Sequence, residues 1–188
     1  FNAADRLPIV VDMIVAETAE ARRAALDRLL PIQRADFVGI FRGMAPHPVT
    51  IRLLDPPIHE FLPTERQLED DIARLHDLRG AARGMEVLTE AARFAPDTLI
   101  PATLRDFGET RLIDSIIARK EAILRKARAL REVNPMLGHR GVRLGITYPE
   151  IYTMQIRAVL EAAADCVRSG VEVHPEIMVP QVCTAQEL

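Results

Sequence analysis

The sequence has little of what nucleic-acid-binding, disulfide-rich and membrane proteins require. Its 188 residues include no tryptophan, two cysteines and 4% aromatic residues, with a net charge of -3 and a pI of about 6.0. Few aromatic rings and no basic excess argue against a nucleic-acid surface. Two cysteines are too few for a disulfide scaffold and favour a reducing, cytoplasmic setting. No apolar run approaches the roughly 18–20 residues that span a bilayer, so we expect neither nucleic acid nor a membrane as a partner.

What the sequence does contain is typical of a globular domain rich in arginine. It is 48% hydrophobic and 27% charged, which is the composition of ordinary folded proteins. Lys120 and Lys126 are the only lysines. We therefore expect any anion site in this chain to use arginine, whose planar fork suits carboxylates and phosphates.

The apolar pattern predicts helices that alternate with strands. Short β-branched runs bounded by proline or glycine predict strands at 49–54, 142–146 and 176–182. Helical spacing predicts helices at 5–30, 31–43, 65–78, 83–92, 109–132 and 148–168, with breaks at Pro31 and Gly80. This alternation predicts an α/β fold with parallel pairing, helix-dominated overall and with about three parallel strands.

The helical stretch at about 64–131 is the largest departure from a simple alternation. It is far longer than the roughly 2–6 residues that usually connect elements of α/β units, which predicts an inserted block. Capping boxes, in which a threonine and a residue three positions later bond each other's backbone, mark the expected helix starts at Thr64–Gln67 and Thr147–Glu150.

The first candidate site lies at the end of the strand at 49–54. Arg52 interrupts the apolar run of this strand, and Asp55 and His59 follow it. A buried arginine must be paired or bind an anion, because an unpaired buried charge is costly. On the residues alone, a structural pair of Arg52 with Asp55 and a ligand-binding Arg52 are equally open. His59 and Glu60 do not form a zinc motif, because no second histidine stands four residues from His59.

The second candidate site is the segment at 134–144, a predicted loop over 134–141 that leads into the predicted strand. Gly138 and Gly141 bracket His139 and Arg140, and Arg143 follows. Glycine lets a backbone turn sharply or approach a ligand closely. The alternative is an ordinary turn that carries an exposed arginine.

Four stretches carry a family resemblance. "TIRLLDPPIHEFLP" (50–63), "NPMLGHRGVRLGITYPEIYTMQIRAVLEAA" (134–163) and "PEIMVPQV" (175–182) resemble the phosphoenolpyruvate/pyruvate-binding domain of the pyruvate, phosphate dikinase family. "DRLPIVVDMIVAET" (5–18) is similar to the segment that follows the first strand of that domain. Related barrels, in phosphoenolpyruvate synthase and in enzyme I of the sugar phosphotransferase system, usually carry an aromatic residue in place of His139 and lack the residues at 55–61.

The resemblance implies a fold that the chain only partly contains. Residues 1–188 would be an incomplete (β/α)8 TIM barrel, the phosphoenolpyruvate/pyruvate-binding domain, with a helical insertion at about 64–131. A complete barrel takes about 250 residues. The first strand of the barrel would end just before Phe1, and the Mg²⁺-binding, carboxylate-orienting and proton-donating residues of the family would lie beyond Leu188. We therefore expect a fragment that is inactive alone and holds no metal ligand.

The resemblance also implies a reaction and its partners. The family interconverts ATP, pyruvate and phosphate with AMP, phosphoenolpyruvate and pyrophosphate. Its arginines matching Arg52 and Arg140 hold the transferring phosphoryl group, and we expect Asp55, His59 and Arg143 to support them from further out. The implied partners are phosphoenolpyruvate or pyruvate, the swivelling phosphohistidine domain of the parent chain, and further copies in a cytoplasmic homo-oligomer such as a homodimer. Mg²⁺ is the implied cofactor of the parent enzyme, bound outside this chain.

Two other functions stay open. The chain could be a fragment of phosphoenolpyruvate synthase, or a non-catalytic helical interaction module that docks a partner on the block at 64–131. Three strands without a closed barrel would leave open sheet edges and an exposed apolar inner face. This predicts that the isolated chain self-associates.

Overall fold

The computed structural model describes residues 3, 5–91, 110–130 and 138–188. The chain divides into two compact units, Phe1–Leu62 together with Arg131–Leu188, and Pro63–Leu130. Residues 92–109 and 131–137 lie outside the described residues. The end of the helix predicted at 83–92, both ends of the helix predicted at 109–132 and the first part of the second candidate site fall there. None of the described helices is both long enough and apolar enough to span a membrane.

Helices dominate the described part of the chain, and its two strands pair in parallel, as expected of an α/β fold. The elements follow one another as α1 Leu7–Val15, α2 Ala19–Met44, β1 Pro48–Arg52, α3 Glu65–Ala91, α4 Arg111–Ala129, α5 Val142–Thr147, α6 Pro149–Arg168 and β2 His174–Met178. Short 3-10 turns follow each strand, at Ile58–Phe61 and Ala185–Glu187.

The helix α2 runs without interruption through Pro31, where the sequence predicts a break. Thr18 caps the start of α2 by accepting a hydrogen bond from Ala21 N at 3.2 Å. A proline inside a helix costs about 3 kcal/mol, because it cannot donate a hydrogen bond to the preceding turn. Packing offsets this cost, since α2 buries apolar side chains on both sides of the proline: Ala25, Leu26, Leu29, Phe37 and Phe41. The predicted break is wrong for this reason.

The core of the first unit lies between α2, α6 and one face of the sheet. Phe37 and Phe41 of α2 are stacked on each other, with ring centroids 6.4 Å apart. The buried residues that share this cluster are Phe37, Phe41, Ala158, Val159, Ala162 and Cys166. Val49, Ile51 and Ile177 pack against the cluster from the two strands, so the sheet is held from one side by both helices.

The other face of the sheet is exposed and mostly polar. β1 and β2 align from Pro48 opposite His174 to Arg52 opposite Met178. Successive side chains of a strand point to opposite faces, and the exposed set is Pro48, Thr50, Arg52, His174, Glu176 and Met178. The expected apolar inner face is therefore wrong, because alternation places the apolar residues on the helix-covered side.

The predicted strand at 142–146 is also wrong, since these residues form the helix α5. Gly141 precedes the helix with a φ of +58°, a conformation that residues with a side chain rarely adopt. Leu144 N and Gly145 N both donate to the carbonyl of Gly141, at 3.0 and 3.2 Å. The helix buries Val142 and Leu144. Within the described ranges the sheet has two strands instead of the predicted three, and β2 ends at Met178 rather than at position 182.

The second unit is a pair of helices joined by ion pairs. α3 runs unbroken through Gly80, where the sequence predicts two helices, and the capping box of Thr64 and Gln67 is confirmed. Its buried apolar residues, among those described, are Leu68, Ala82, Ile117, Ile123 and Leu124. Three cationic side chains of the pair bond to carboxylates on the facing helix: Lys120 to Asp71, Arg79 to Asp114, and Arg128 to Glu65. The hydrogen bond from Lys120 lowers the pKa of Asp71.

A buried ion pair fixes the start of α6 against α2. Arg22 donates to Glu150 Oε1 at 2.6 Å and to Ala16 O at 3.0 Å, and its guanidinium lies 4.2 Å from the ring centre of Tyr148. The side chains of Arg22 and Glu150 are 9% and 12% exposed. The predicted capping box of Thr147 and Glu150 is wrong, because Arg22 takes the Glu150 carboxylate. Burial opposes ionisation, but the bond from Arg22 lowers the pKa of Glu150 below its ordinary value.

Removing Arg22 should destabilise the first unit strongly. We expect Arg22→Met to lower the free energy of unfolding by about 3–5 kcal/mol, because Glu150 is left as a buried, unpaired charge. Denaturant unfolding measures this. The control is Arg157→Met, which breaks an exposed pair with Glu161 and should cost only about 0.2–1 kcal/mol.

The loss of unfolding free energy in Arg22→Met should depend on pH. Because the pKa of Glu150 is lowered on folding, its contribution is complete above the ordinary value of 4.5 and is lost as the pH falls through the lower folded value. The difference between wild type and variant should therefore shrink in acid. An equal difference at neutral and acidic pH would contradict the ion pair.

Candidate anion-binding site

The end of β1 is held in place by hydrogen bonds from α6. Leu53 N donates to Met178 O at 3.0 Å, which extends the ladder by one residue beyond β1. Leu54 N then donates to Gln155 Oε1 at 2.9 Å, and the hydroxyl of Tyr152 donates to Leu54 O at 3.0 Å. Both polar groups of the buried residue Leu54 are thus satisfied by side chains of one helix.

The position of Tyr152 depends on a glycine in α5. A Cβ added at Gly145 would lie 2.5 Å from Cδ2 of the Tyr152 ring, so only glycine leaves room for the ring. Burial, together with the negative charge of Asp55, raises the pKa of Tyr152 to about 12. The phenol therefore stays protonated and able to donate to Leu54 O.

One carboxylate oxygen joins the two arginines predicted to bind phosphate. Asp55 Oδ2 accepts from Arg52 Nη2 at 2.6 Å and from Arg140 Nη2 at 3.0 Å. Arg140 Nε also donates to the main-chain carbonyl of Asp55 at 3.1 Å. The side chains of Asp55, Arg140 and Arg52 are 12%, 21% and 56% exposed. Arg52 is therefore an exposed residue that faces the open side of the sheet, and the expectation of a buried charge in an apolar strand is wrong.

The loop that carries Arg140 is fixed on its far side by the segment after β2. Val142 N donates to Pro180 O at 2.9 Å, and a Cβ at Gly141 would lie 2.8 Å from that same carbonyl oxygen. Gln181, next to Pro180, has a φ of +62°. The close approach explains why a glycine precedes Val142.

Two further residues of the second candidate site, His139 and Arg143, have bonding partners apart from Asp55. His139 Nε2 lies 2.8 Å from Thr147 Oγ1, and its ring meets the ring of Tyr148 edge-on. Arg143 donates to Gly138 O at 3.3 Å and lies 3.6 Å from Cys183 Sγ. These contacts tie the chain before Gly141 to α5, and α5 to the segment after β2.

An open pocket of about 550 Å³ lies beside Arg52 and Asp55. Its lining residues are Arg52, Leu53, Leu54, Asp55, Pro56, Phe61 and Gln155. It combines an apolar wall with one arginine and one carboxylate, and the second arginine is bonded to that carboxylate without lining the pocket. Such a pocket can hold a small organic anion.

The structure brings together three of the five residues singled out from the sequence. Arg52, Asp55 and Arg140 are in direct contact, and Arg143 lies in the helix α5. His59 lies half-buried in the 3-10 turn after β1 and is not among the residues that line the pocket.

Sequence reasoning missed Tyr152 and Gln155. A signal for Gln155 exists, because it is a polar residue on the otherwise apolar buried face of α6, between Met154 and Ala158. Buried polar side chains must find hydrogen-bonding partners, and here that partner is the end of a strand.

The whole chain matches one family. The model of the PEP-binding domain of PEP-utilising enzymes covers residues 1–188, so the chain belongs to this family. It is 44% identical over 188 residues to pyruvate, phosphate dikinase of Entamoeba histolytica, and 46% identical to pyruvate, phosphate dikinase 1, chloroplastic, of Oryza sativa subsp. japonica. The corresponding enzyme of Arabidopsis thaliana is 45% identical. The matches take in 100% of this chain but only 18%, 16% and 16% of these relatives.

Substituting Gly145 should loosen the end of β1. We expect Gly145→Ala to cost about 1–3 kcal/mol of unfolding free energy, because the new methyl group displaces the Tyr152 ring. The phenol should then titrate closer to its ordinary pKa of 10.0 than to about 12, as measured by phenolate absorbance. The control is Gly39→Ala on α2, where nothing lies within 4 Å of an added Cβ and where alanine should stabilise the helix by about 0.5–1 kcal/mol. Equal effects of the two substitutions would contradict this role of Gly145.

Proposed function

We propose that this chain is part of a pyruvate, phosphate dikinase and that Arg52 and Arg140 hold the phosphoryl group of phosphoenolpyruvate. The observation that carries the proposal is the convergence of both guanidinium groups on Asp55 beside an open pocket. Membership of the PEP-binding family and 44–46% identity to dikinases support the choice of substrate and enzyme.

The chemistry of phosphoryl transfer suits two adjacent arginines. Such a transfer needs positioning and neutralisation of oxygen charge more than it needs covalent chemistry from the protein. An arginine presents five N–H donors in a rigid fork that matches phosphate oxygens. Among the residues described, Arg52 donates one side-chain hydrogen bond, from Nη2 to Asp55. Its Nε and Nη1 groups can therefore bind an anion in the pocket.

The proposed fold is the β/α barrel of the family, of which the first unit would supply a part. Active sites of such barrels lie at the carboxyl ends of the strands, and the pocket lies at the carboxyl end of β1. The second unit, Pro63–Leu130, would be the helical insertion at about 64–131.

The described residues do not fit a Mg²⁺ site. Within them, no group of three or more histidine, cysteine, aspartate or glutamate residues could hold a metal ion. The one carboxylate of the pocket, Asp55, already binds two arginines. We therefore propose that the Mg²⁺ that the family implies is bound by residues other than those described.

The proposed setting and partners are those of the family. The phosphohistidine domain of the parent chain would deliver or accept the phosphoryl group at the pocket, and the enzyme would act as a homo-oligomer in the cytoplasm. The two cysteines are unpaired, with Cys166 buried and Cys183 exposed, which suits a reducing compartment.

A second candidate function is favoured by the surface of the helical pair. Leu78, Val87 and Leu112 of the second unit are all at least half exposed. Large exposed apolar side chains can mark a contact surface. An interaction module would use this surface and would not require Arg52 or Arg140, so substitution of those arginines separates the two functions.

Arg140→Ala should separate the two half-reactions of a complete dikinase that carries this segment. We expect exchange between pyruvate and phosphoenolpyruvate to fall about a hundredfold or more, as for loss of one charge-stabilising donor. Exchange between ATP and AMP, at a distant site, should be retained. Isotope exchange measures both rates, with Arg157→Ala on the exposed face of α6 as the control. Equal loss of both exchanges would show that Arg140 supports folding instead.

A further inference from the structure

We infer that Asp55 is a positioning residue, which holds Arg52 and Arg140 side by side so that one phosphoryl group can bridge them. The inference rests on the proposed function, in which the two arginines are the phosphoryl ligands. Asp55 would then contribute to phosphoryl transfer by orienting the two arginines. A residue that only formed a structural pair, or that supported the arginines from further out, would make no such contribution.

The hydrogen bonds show how one residue orients two side chains. Arg52 and Arg140 use the same kind of nitrogen, Nη2, on the same oxygen of Asp55. Arg140 is held at a second point, since its Nε donates to the main-chain carbonyl of Asp55 at 3.1 Å. Two contacts fix the plane of the Arg140 guanidinium, whereas Arg52 keeps one contact and more freedom.

Asp55 can act as a fixed reference because its own backbone is restrained on both sides. Before it, both polar groups of the Leu54 main chain are bonded to Gln155 and Tyr152. After it, Pro56 disfavours a helical conformation at Asp55 itself. The carboxylate therefore projects from a point that α6 determines, and the arginines follow its position.

The charges explain why a carboxylate stands between the arginines. Two guanidinium groups that approach the same point repel each other, and one carboxylate between them offsets much of this repulsion. The three side chains together keep one net positive charge, which still attracts a phosphoryl group.

The second oxygen of the Asp55 carboxylate indicates that the arrangement orients the arginines rather than stabilises the fold. Asp55 Oδ1 is buried and accepts no hydrogen bond within the described residues. A buried acceptor without a partner is destabilising. Placing one oxygen against each arginine would satisfy both atoms but would set the two guanidinium groups further apart.

The test is a set of substitutions at Asp55 in a complete dikinase that carries this segment. We expect Asp55→Ala to lower kcat/KM for exchange between pyruvate and phosphoenolpyruvate by about a hundredfold, because both arginines lose their alignment. Asp55→Asn keeps one acceptor oxygen, so its kcat/KM should be about tenfold higher than that of Asp55→Ala. Exchange between ATP and AMP should remain unchanged in both variants.

The matched control is Asp165→Asn on α6. Asp165 is also a carboxylate shared by two arginines, Arg34 and Arg168, but none of these three residues lines the pocket. Asp165→Asn should leave both exchange rates at the wild-type level, so that loss of a shared carboxylate is distinguished from loss of this one.

A double-mutant cycle tests whether Asp55 acts through Arg140. If it does, Asp55→Ala lowers the rate by much less than a hundredfold when Arg140→Ala is already present, because only the alignment of Arg52 is left to lose. The inference is overturned if the two losses multiply, if both exchange reactions fall together, or if Asp55→Ala matches the control. Should Asp55→Ala fail to fold, the same cycle with Asp55→Asn decides. If Arg140→Ala instead exchanges pyruvate and phosphoenolpyruvate at the wild-type rate, the proposed function itself is overturned.

Discussion

The geometry of the candidate site depends on the two hydrogen bonds by which α6 holds the main chain of Leu54. Gln155 and Tyr152 satisfy the amide and the carbonyl of this buried residue at the end of β1. Because both bonds come from one helix, the strand end cannot shift without α6. The room for Tyr152 at Gly145 and the ion pair of Arg22 with Glu150 at the start of α6 support the same arrangement. Asp55, the next residue along the chain, takes its position from this restraint.

The sequence predicts the candidate residues better than it predicts their environment. Arg52 stands out because it interrupts an apolar strand, and Arg140 because two glycines bracket it together with His139. The structure brings both arginines to Asp55. The sequence does not show that Arg52 is exposed. A five-residue strand that is covered on one face and has few polar residues shows the same sequence pattern as a strand buried on both faces. It also misses Gln155, whose role becomes clear only when a strand end lies within reach.

The errors in secondary structure share one physical cause, which is that tertiary contacts override local signals. Pro31 does not break α2, since apolar packing on both sides offsets the lost hydrogen bond. The run at 142–146 forms a helix because Gly141 turns the chain and Val142 N is held by Pro180 O. Gly80 does not divide α3, whose facing residues pair with α4. Glycine and proline mark possible breaks, and packing decides which of them occur.

A structure of a complete dikinase carrying this segment, bound to a phosphonate analogue of phosphoenolpyruvate, tests the central claim most directly. The geometry described here predicts phosphonate oxygens within hydrogen-bonding distance of both Arg52 and Arg140, with Asp55 still bonded to the two guanidinium groups. A phosphonate bound elsewhere, with both arginines remaining on Asp55 alone, would contradict it.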